Sequence, residues 1–202
     1  YDELKEKVFE HYDNIKGIVH CAGVSKYGDI DDMTKEDFET VYKPKVMGAY
    51  NLEKLSNNLT LDYFILCSSI SSGMGQVNHL SNKLSVYAAA NGCLDSLALN
   101  SNNITSIRWG QWLDGGMGND ESILRYIKLG ILPVNPKDAI DTMFLGLKSH
   151  ESIMTICPLD VTKLKHTYFE RIASTTRADV TIKSYTNKEI VSILYKVCND
   201  LG

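Results

Sequence analysis

The sequence has no apolar stretch approaching the ~18 residues that a membrane-spanning helix needs, which excludes that topology. It has no basic block either. Its 21 Lys and Arg stand against 25 Asp and Glu, for a formal net charge of −4. Binding to nucleic acid runs on phosphate neutralisation and needs the opposite balance. No two cysteines have C-x-x-C spacing, and the total of five (Cys21, Cys67, Cys93, Cys157, Cys198) is odd. The expectation is free buried thiols in a reducing compartment, and hence a cytoplasmic location. The histidines are scattered, and no His, Cys or carboxylate group has metal-ligand spacing. Residue 1 is Tyr rather than Met, and no charged n-region leads into an apolar h-region. The expectation is a piece of a longer polypeptide or a processed product, with no signal peptide. What is present is ordinary: 202 residues, 44% apolar and 23% charged, enough for one domain or one domain with an appendage.

Apolar spacing alternates between two periods along the chain. Tyr1 to Tyr12 reads as a polar helix with Leu4, Val8 and Phe9 on one face. Ile15 to Gly23 holds a short apolar run ending in small residues, the pattern of a buried strand opening into a loop. Thr34 starts a capping pattern with Asp37, and helical spacing follows through Phe38, Val41, Val46, Ala49, Leu52 and Leu55. Pro44 kinks or splits that helix. A second strand is predicted at Tyr63 to Cys67, running into Ser68-Ser69, and a polar loop from Ser71 to Ser85. A helix spans Val86 to Leu99, and a third strand spans Ile104 to Trp109. After a Gly- and Asp-rich stretch, Ile123 to Leu129 forms a short amphipathic helix. Asn135-Pro136 opens another helix in the favoured cap order. Ser152 to Cys157 is a fourth strand. Four rounds of alternation predict an α/β fold with a parallel sheet. Ligands of such sheets bind beyond the carboxyl ends of the strands, which directs attention to Ala22-Gly23, Ser68-Ser69 and Trp109-Gly110.

The chemistry-bearing residues fall at those places. Tyr87 and Asn91 are four apart and share a helical face. They follow a strand that ends in Ser69. A phenol, a hydroxyl and a nearby cation together polarise a carbonyl: the Tyr donates a proton and the Ser hydrogen-bonds the same oxygen. A cation such as Lys45 lowers the phenol pKa toward working pH.

Five segments in order carry a resemblance. They are Ile18-Val19-His20-Cys21-Ala22-Gly23-Val24; Pro44-Lys45-Val46 with Gly48-Ala49-Tyr50-Asn51-Leu52; Phe64-Ile65-Leu66-Cys67-Ser68-Ser69; Tyr87 to Asp95; and Trp109-Gly110-Gln111-Trp112 with Gly116-Met117. From about Gly17 to Asp160 the chain resembles the ketoreductase domain of polyketide and animal-type fatty acid synthases, within the short-chain dehydrogenase/reductase superfamily. General members of that superfamily carry Tyr-x-x-x-Lys. Here the fourth residue after Tyr87 is Asn91 and the lysine is Lys45, an exchange typical of synthase ketoreductases. The resemblance implies the C-terminal part of a Rossmann-like doubly wound parallel sheet. It implies Tyr87 as general acid, Ser69 orienting the substrate oxygen, Lys45 tuning Tyr87 and holding the proton relay, and Asn91 supporting the same network. It implies NADPH as hydride donor to a β-ketoacyl thioester carried on phosphopantetheine. Ala22, Gly23, Lys45, Tyr87 and Gly110 would border the cofactor, and Gly115 to Leu129 would be a mobile lid.

The same resemblance divides the chain into residues 1–165 of a ketoreductase domain, a linker over 166–186 and the first helix of an acyl carrier domain over 187–202. That helix starts with the capping box Thr186-Asn187-Lys188-Glu189, and the residues alone leave open a second reading, a single helix that packs back on the main domain. The partners implied are an acyl carrier domain and other synthase domains of the same polypeptide. The Gly-x-Gly-x-x-Gly dinucleotide motif is missing, and Gly73-x-Gly75 is a poor imitation of it. An alternative reading is therefore a non-catalytic structural half-domain of a megasynthase. A third is a fragment of a stand-alone dehydrogenase, which Asn91 in place of Lys counts against. The joint presence of Tyr87, Ser69, Lys45 and Asn91 favours the enzyme.

Overall fold

A computed structural model describes residues 1–12, 14–73, 82–118 and 120–164. The expected linker and carrier helix lie outside these residues, as do Cys198 and most of the loop before Tyr87. In chain order the elements are α1 (Asp2–His11), β1 (Gly17–His20), α2 (Lys35–Tyr42), α3 (Gly48–Ser56), β2 (Tyr63–Ser69), α4 (Ile70–Gly73), α5 (Ser85–Leu99), β3 (Thr105–Trp109), α6 (Asp120–Lys128), α7 (Pro136–Leu147), β4 (Ile153–Ile156) and α8 (Val161–Leu164). The described residues fall into two compact units. One joins Tyr1–Trp109 to Ile140–Ile156; the other joins Gly110–Ala139 to the described residues from Cys157 onward.

The first unit holds a four-stranded parallel sheet in the order β1-β2-β3-β4. Parallel neighbours need a crossover between them, and the helices supply it. Period-2 alternation sets the packing. Ile18, Phe64 and Leu66 pack with Ile104 against Ala49 of α3 and Leu94, Leu97 and Ala98 of α5. Burying such side chains stabilises by about 1.5–3 kcal/mol each. A second cluster joins Val41 and Val46 to Val86 and Ala90, so α2 and the residues after it also pack on α5. One strand departs from expectation. Val19 of β1 is 52% exposed, so β1 is half-buried rather than buried on both faces.

The local signals act as their chemistry requires. Thr34 and Asp37 exchange capping bonds at the start of α2. Asn135 Oδ1 accepts the Lys137 N–H at 2.9 Å at the start of α7. In the second unit Gly130 ends α6 at φ +86°, and the Ile131 N–H returns to the Tyr126 carbonyl. A side chain would be strained in that left-handed turn. The expected loop after Ser69 begins instead with the short helix α4.

Candidate active site

Lys45 is placed by an irregularity. Lys43–Met47 forms a π-helical turn between α2 and α3. Pro44 has no amide proton, so the regular ladder breaks there and the turn widens. Gly48 N–H reaches back to the Lys43 carbonyl. His20, at the end of β1, donates from Nε2 to the Lys45 carbonyl at 2.7 Å. His20 is buried, and burial lowers its pKa, so the neutral ring with its proton on Nε2 is the form that fits. A Cβ on Gly48 would come within 2.9 Å of the imidazole, so only glycine leaves His20 its seat.

The Lys45 side chain is buried at 4% exposure. Its Nζ donates to the Cys67 carbonyl at 3.0 Å and lies 5.4 Å from the centre of the Tyr87 ring. Burial lowers its pKa, while the Cys67 and Cys21 sulfurs and the Asp95 carboxylate pull it back up. Gly23, just beyond β1, makes room for it: a Cβ there would lie 2.8 Å from Lys45 Cε and 3.2 Å from Nζ.

Ser69 is the last residue of β2, and its Oγ accepts the Ser71 N–H at 3.2 Å. Tyr87 sits in the first turn of α5 and Asn91 one turn later. Asn91 Nδ2 donates to the Tyr87 carbonyl at 2.8 Å, and the Asn91 carbonyl accepts from Ser68 Oγ at 3.3 Å. The structure therefore brings Tyr87, Ser69, Lys45, Asn91 and Gly23 together. Burial raises the Tyr87 pKa, with side-chain hydrogen bonds from Asn91 and Ser69 opposing it. The Lys45 ammonium lies over the ring, 5.4 Å from its centre. A phenol held protonated is the starting state of an acid.

Beneath Ser69 lies a buried network that sequence reasoning missed. Asp95 accepts from Ser72 Oγ at 2.6 Å, Ser106 Oγ at 2.6 Å and Arg108 Nε at 2.8 Å. Ser72 Oγ also lies 2.8 Å from the Ser69 carbonyl, so its single proton is shared between that oxygen and the Asp95 carboxylate. One hydroxyl thus links the carboxylate to the turn that carries Ser69. The available signal was an acid four residues after Asn91, on the same face of an otherwise apolar helix. His20 was missed too, because a histidine closing a strand has no distinguishing pattern.

Ala22 is exposed. Gly110 belongs to the second unit, is buried, and would place a Cβ 3.0 Å from Cys157 Sγ. Burial pushes the Cys157 thiol up to about 12. The four described cysteines are free, but Cys21 is exposed rather than buried and the other three are half-buried. Cys21 follows β1 at an open strand end, which accounts for its exposure. No helix among the described residues is long and apolar enough to cross a membrane.

A family model described as the KR domain matches residues 2–114. Among curated proteins, the chain is 32% identical over 184 residues to polyketide synthase PksN of Bacillus subtilis, covering 85% of this chain and 3% of that one. It is 32% identical over 157 residues to the phenolphthiocerol synthesis polyketide synthase Pks15/1 of Mycobacterium marinum, covering 74% and 7%. Among solved structures, a ketoreductase domain from the bacillaene assembly line is 30% identical with a TM-score of 0.69, over 81% of this chain and 41% of that one. A-type ketoreductases from a modular polyketide synthase give 25% identity and a TM-score of 0.74, over 95% and 40%. The chain thus spans a small part of these curated relatives and under half of these two solved structures.

Proposed function

Because this chain belongs to the KR domain family of polyketide synthases, we propose that it contributes the reacting groups of an NADPH-dependent β-ketoacyl reductase within a larger synthase. The observation that carries this reading is the convergence of Tyr87, Ser69, Lys45 and Asn91 at the carboxyl ends of β1 and β2.

The residues fit a nicotinamide cofactor by their donor chemistry. The Lys45 ammonium has three protons and its bond to Cys67 uses one, which leaves donors for ribose hydroxyls beside Ala22 and Gly23. Gly110 is the proposed border on the side of β3. NADPH, when bound, supplies the hydride. Tyr87 donates its phenolic proton to the substrate carbonyl oxygen as negative charge develops there, and Ser69 Oγ hydrogen-bonds the same oxygen. Lys45 replenishes the proton through the relay, and Asn91 fixes the Tyr87 turn of α5. The substrate is a β-ketoacyl thioester on the phosphopantetheine of an acyl carrier domain, and other domains of the same polypeptide supply and consume it.

The complete parent polypeptide should consume NADPH on adding a β-ketoacyl thioester analogue and yield the β-hydroxyacyl thioester. Absence of NADPH-dependent turnover would overturn the proposal in favour of a structural half-domain. A second outcome follows from the Lys45 seat. Gly23→Ala drives a methyl group into the lysine stem and breaks the bond to Cys67. Turnover should fall by up to about 10²-fold, the scale of a misplaced catalytic group, and more than any loss of folded protein at the assay temperature accounts for. Normal turnover in that variant would remove Lys45 from the relay.

A further inference from the structure

The reacting groups leave one chemically active pair unused. Cys21 Sγ and Cys67 Sγ stand 3.0 Å apart. The sheet itself makes this contact. His20, the last residue of β1, pairs with Leu66 in the parallel register, and the residue that follows each of them brings Cys21 beside Cys67. Neighbouring strands lie ~4.8 Å apart, inside the Cα separations that a disulfide spans. Bridging them asks little of the backbone.

The two sulfurs are not equivalent. Cys21 is exposed and Cys67 half-buried, so a small oxidant reaches Cys21 first. The Cys67 thiol hydrogen-bonds to the Cys21 sulfur and, with the Lys45 ammonium, draws the Cys21 pKa down to about 6 against the opposing effect of burial. The same contact, with burial, pushes Cys67 up. One sulfur is thus an accessible thiolate and its neighbour a protonated thiol in contact with it. That is the arrangement of an attacking and a resolving cysteine. The pair also adjoins the proposed catalytic groups: the Cys67 carbonyl holds Lys45 Nζ, and Cys21 precedes Ala22 and Gly23.

We propose that Cys21 and Cys67 form a reversible dithiol–disulfide site, oxidised by a hydroperoxide, whose closure silences the adjacent reductase site. The Cys21 thiolate attacks one peroxide oxygen; the O–O bond breaks and the departing hydroxide takes a proton to become water. Cys21 is then a sulfenic acid. Cys67 sulfur attacks Cys21 sulfur, the S–O bond breaks, and the Cys67 proton leaves with the hydroxyl as a second water. Two thiols and one hydrogen peroxide become one disulfide and two waters. A thiol reductant returns both sulfurs by exchange. Closure removes the thiolate charge beside Lys45 and ties the end of β1 to β2, next to the backbone that seats the lysine. Formation of the bond stands on the sulfur geometry alone; its effect on turnover rests on the proposed role of Lys45.

The test treats the reduced protein with hydrogen peroxide, quenches with catalase, alkylates remaining thiols and maps peptides by mass spectrometry without reduction. The expected product is a Cys21–Cys67 linked peptide pair that dithiothreitol reverses. Ketoreduction should fall by about tenfold or more on oxidation and return on reduction. Cys21→Ser should show neither link nor loss, and Cys67→Ser should accumulate oxidised Cys21 without the link. Free alkylated Cys21 and Cys67 after peroxide, or linkage through Cys93 or Cys157 instead, would overturn the proposal. A reversible link with undiminished turnover would overturn the coupling to activity and leave the redox site. A preparation without reductase activity before oxidation counts against the proposed function, while the peptide map still decides the disulfide.

Discussion

Tyr87→Phe should lower the turnover of β-ketoacyl thioester by about 10²–10⁴-fold, the usual contribution of a positioned acid. The substitution removes one oxygen, with its hydrogen bonds to Asn91 and Ser69, and keeps the ring in place. The ring still packs against the cluster of Val41, Val46, Val86 and Ala90, and its face still meets the Lys45 ammonium. Thermal unfolding should therefore change little, and cofactor affinity should be retained. The loss belongs in kcat rather than KM, because the proton is delivered only as the carbonyl oxygen gains charge. Burial raises the Tyr87 pKa, so the wild-type phenol enters the reaction protonated. Steady-state kinetics of the paired proteins check this. Near-normal turnover in the phenylalanine variant would take the acid role away from Tyr87, and Ser69 would have to be re-examined as the donor.

The parts of the fold that were legible are those in which one physical term dominates. Phe64 to Cys67 reads as strand because a short apolar run of that kind is stable when covered on both faces. Asn135-Pro136 reads as a helix start because the cap and the fixed φ of proline act locally. Lys45 was legible as a residue but not as a geometry. The widened turn at Pro44 comes from a missing donor together with His20 reaching in from a distant strand, and no local pattern encodes that partnership. The same limit applies to Cys21 and Cys67. Spacing along the chain says nothing about residues 46 positions apart, and only the parallel register of β1 and β2 makes them neighbours. Val19 shows the converse case. Its apolar run matches a fully buried strand, yet burial depends on what lies across the face, which an individual segment does not specify.

The network around Asp95 should dominate stability. Asp95→Ala is expected to destabilise the protein by about 3–5 kcal/mol, the cost of stranding a buried charge. Arg108 is 7% exposed, so its guanidinium cannot recover hydration once the carboxylate is gone. The hydroxyls of Ser72 and Ser106 lose the same acceptor. Against a typical total of about 5–15 kcal/mol, that loss is large. Urea denaturation of wild type and variant measures it through the midpoint. The double variant Asp95→Leu with Arg108→Met separates charge from packing. Removing both ions abolishes the stranded charge, so the pair should cost clearly less than the sum of the single changes. Additivity would mean that the two charges act independently despite their 2.8 Å contact. A kinetic consequence follows in the same proteins. Ser72 joins Asp95 to the Ser69 carbonyl, so the double variant should recover stability without recovering full turnover. Recovery of both together would show that the turn holding Ser69 is set by α4 and β2 alone.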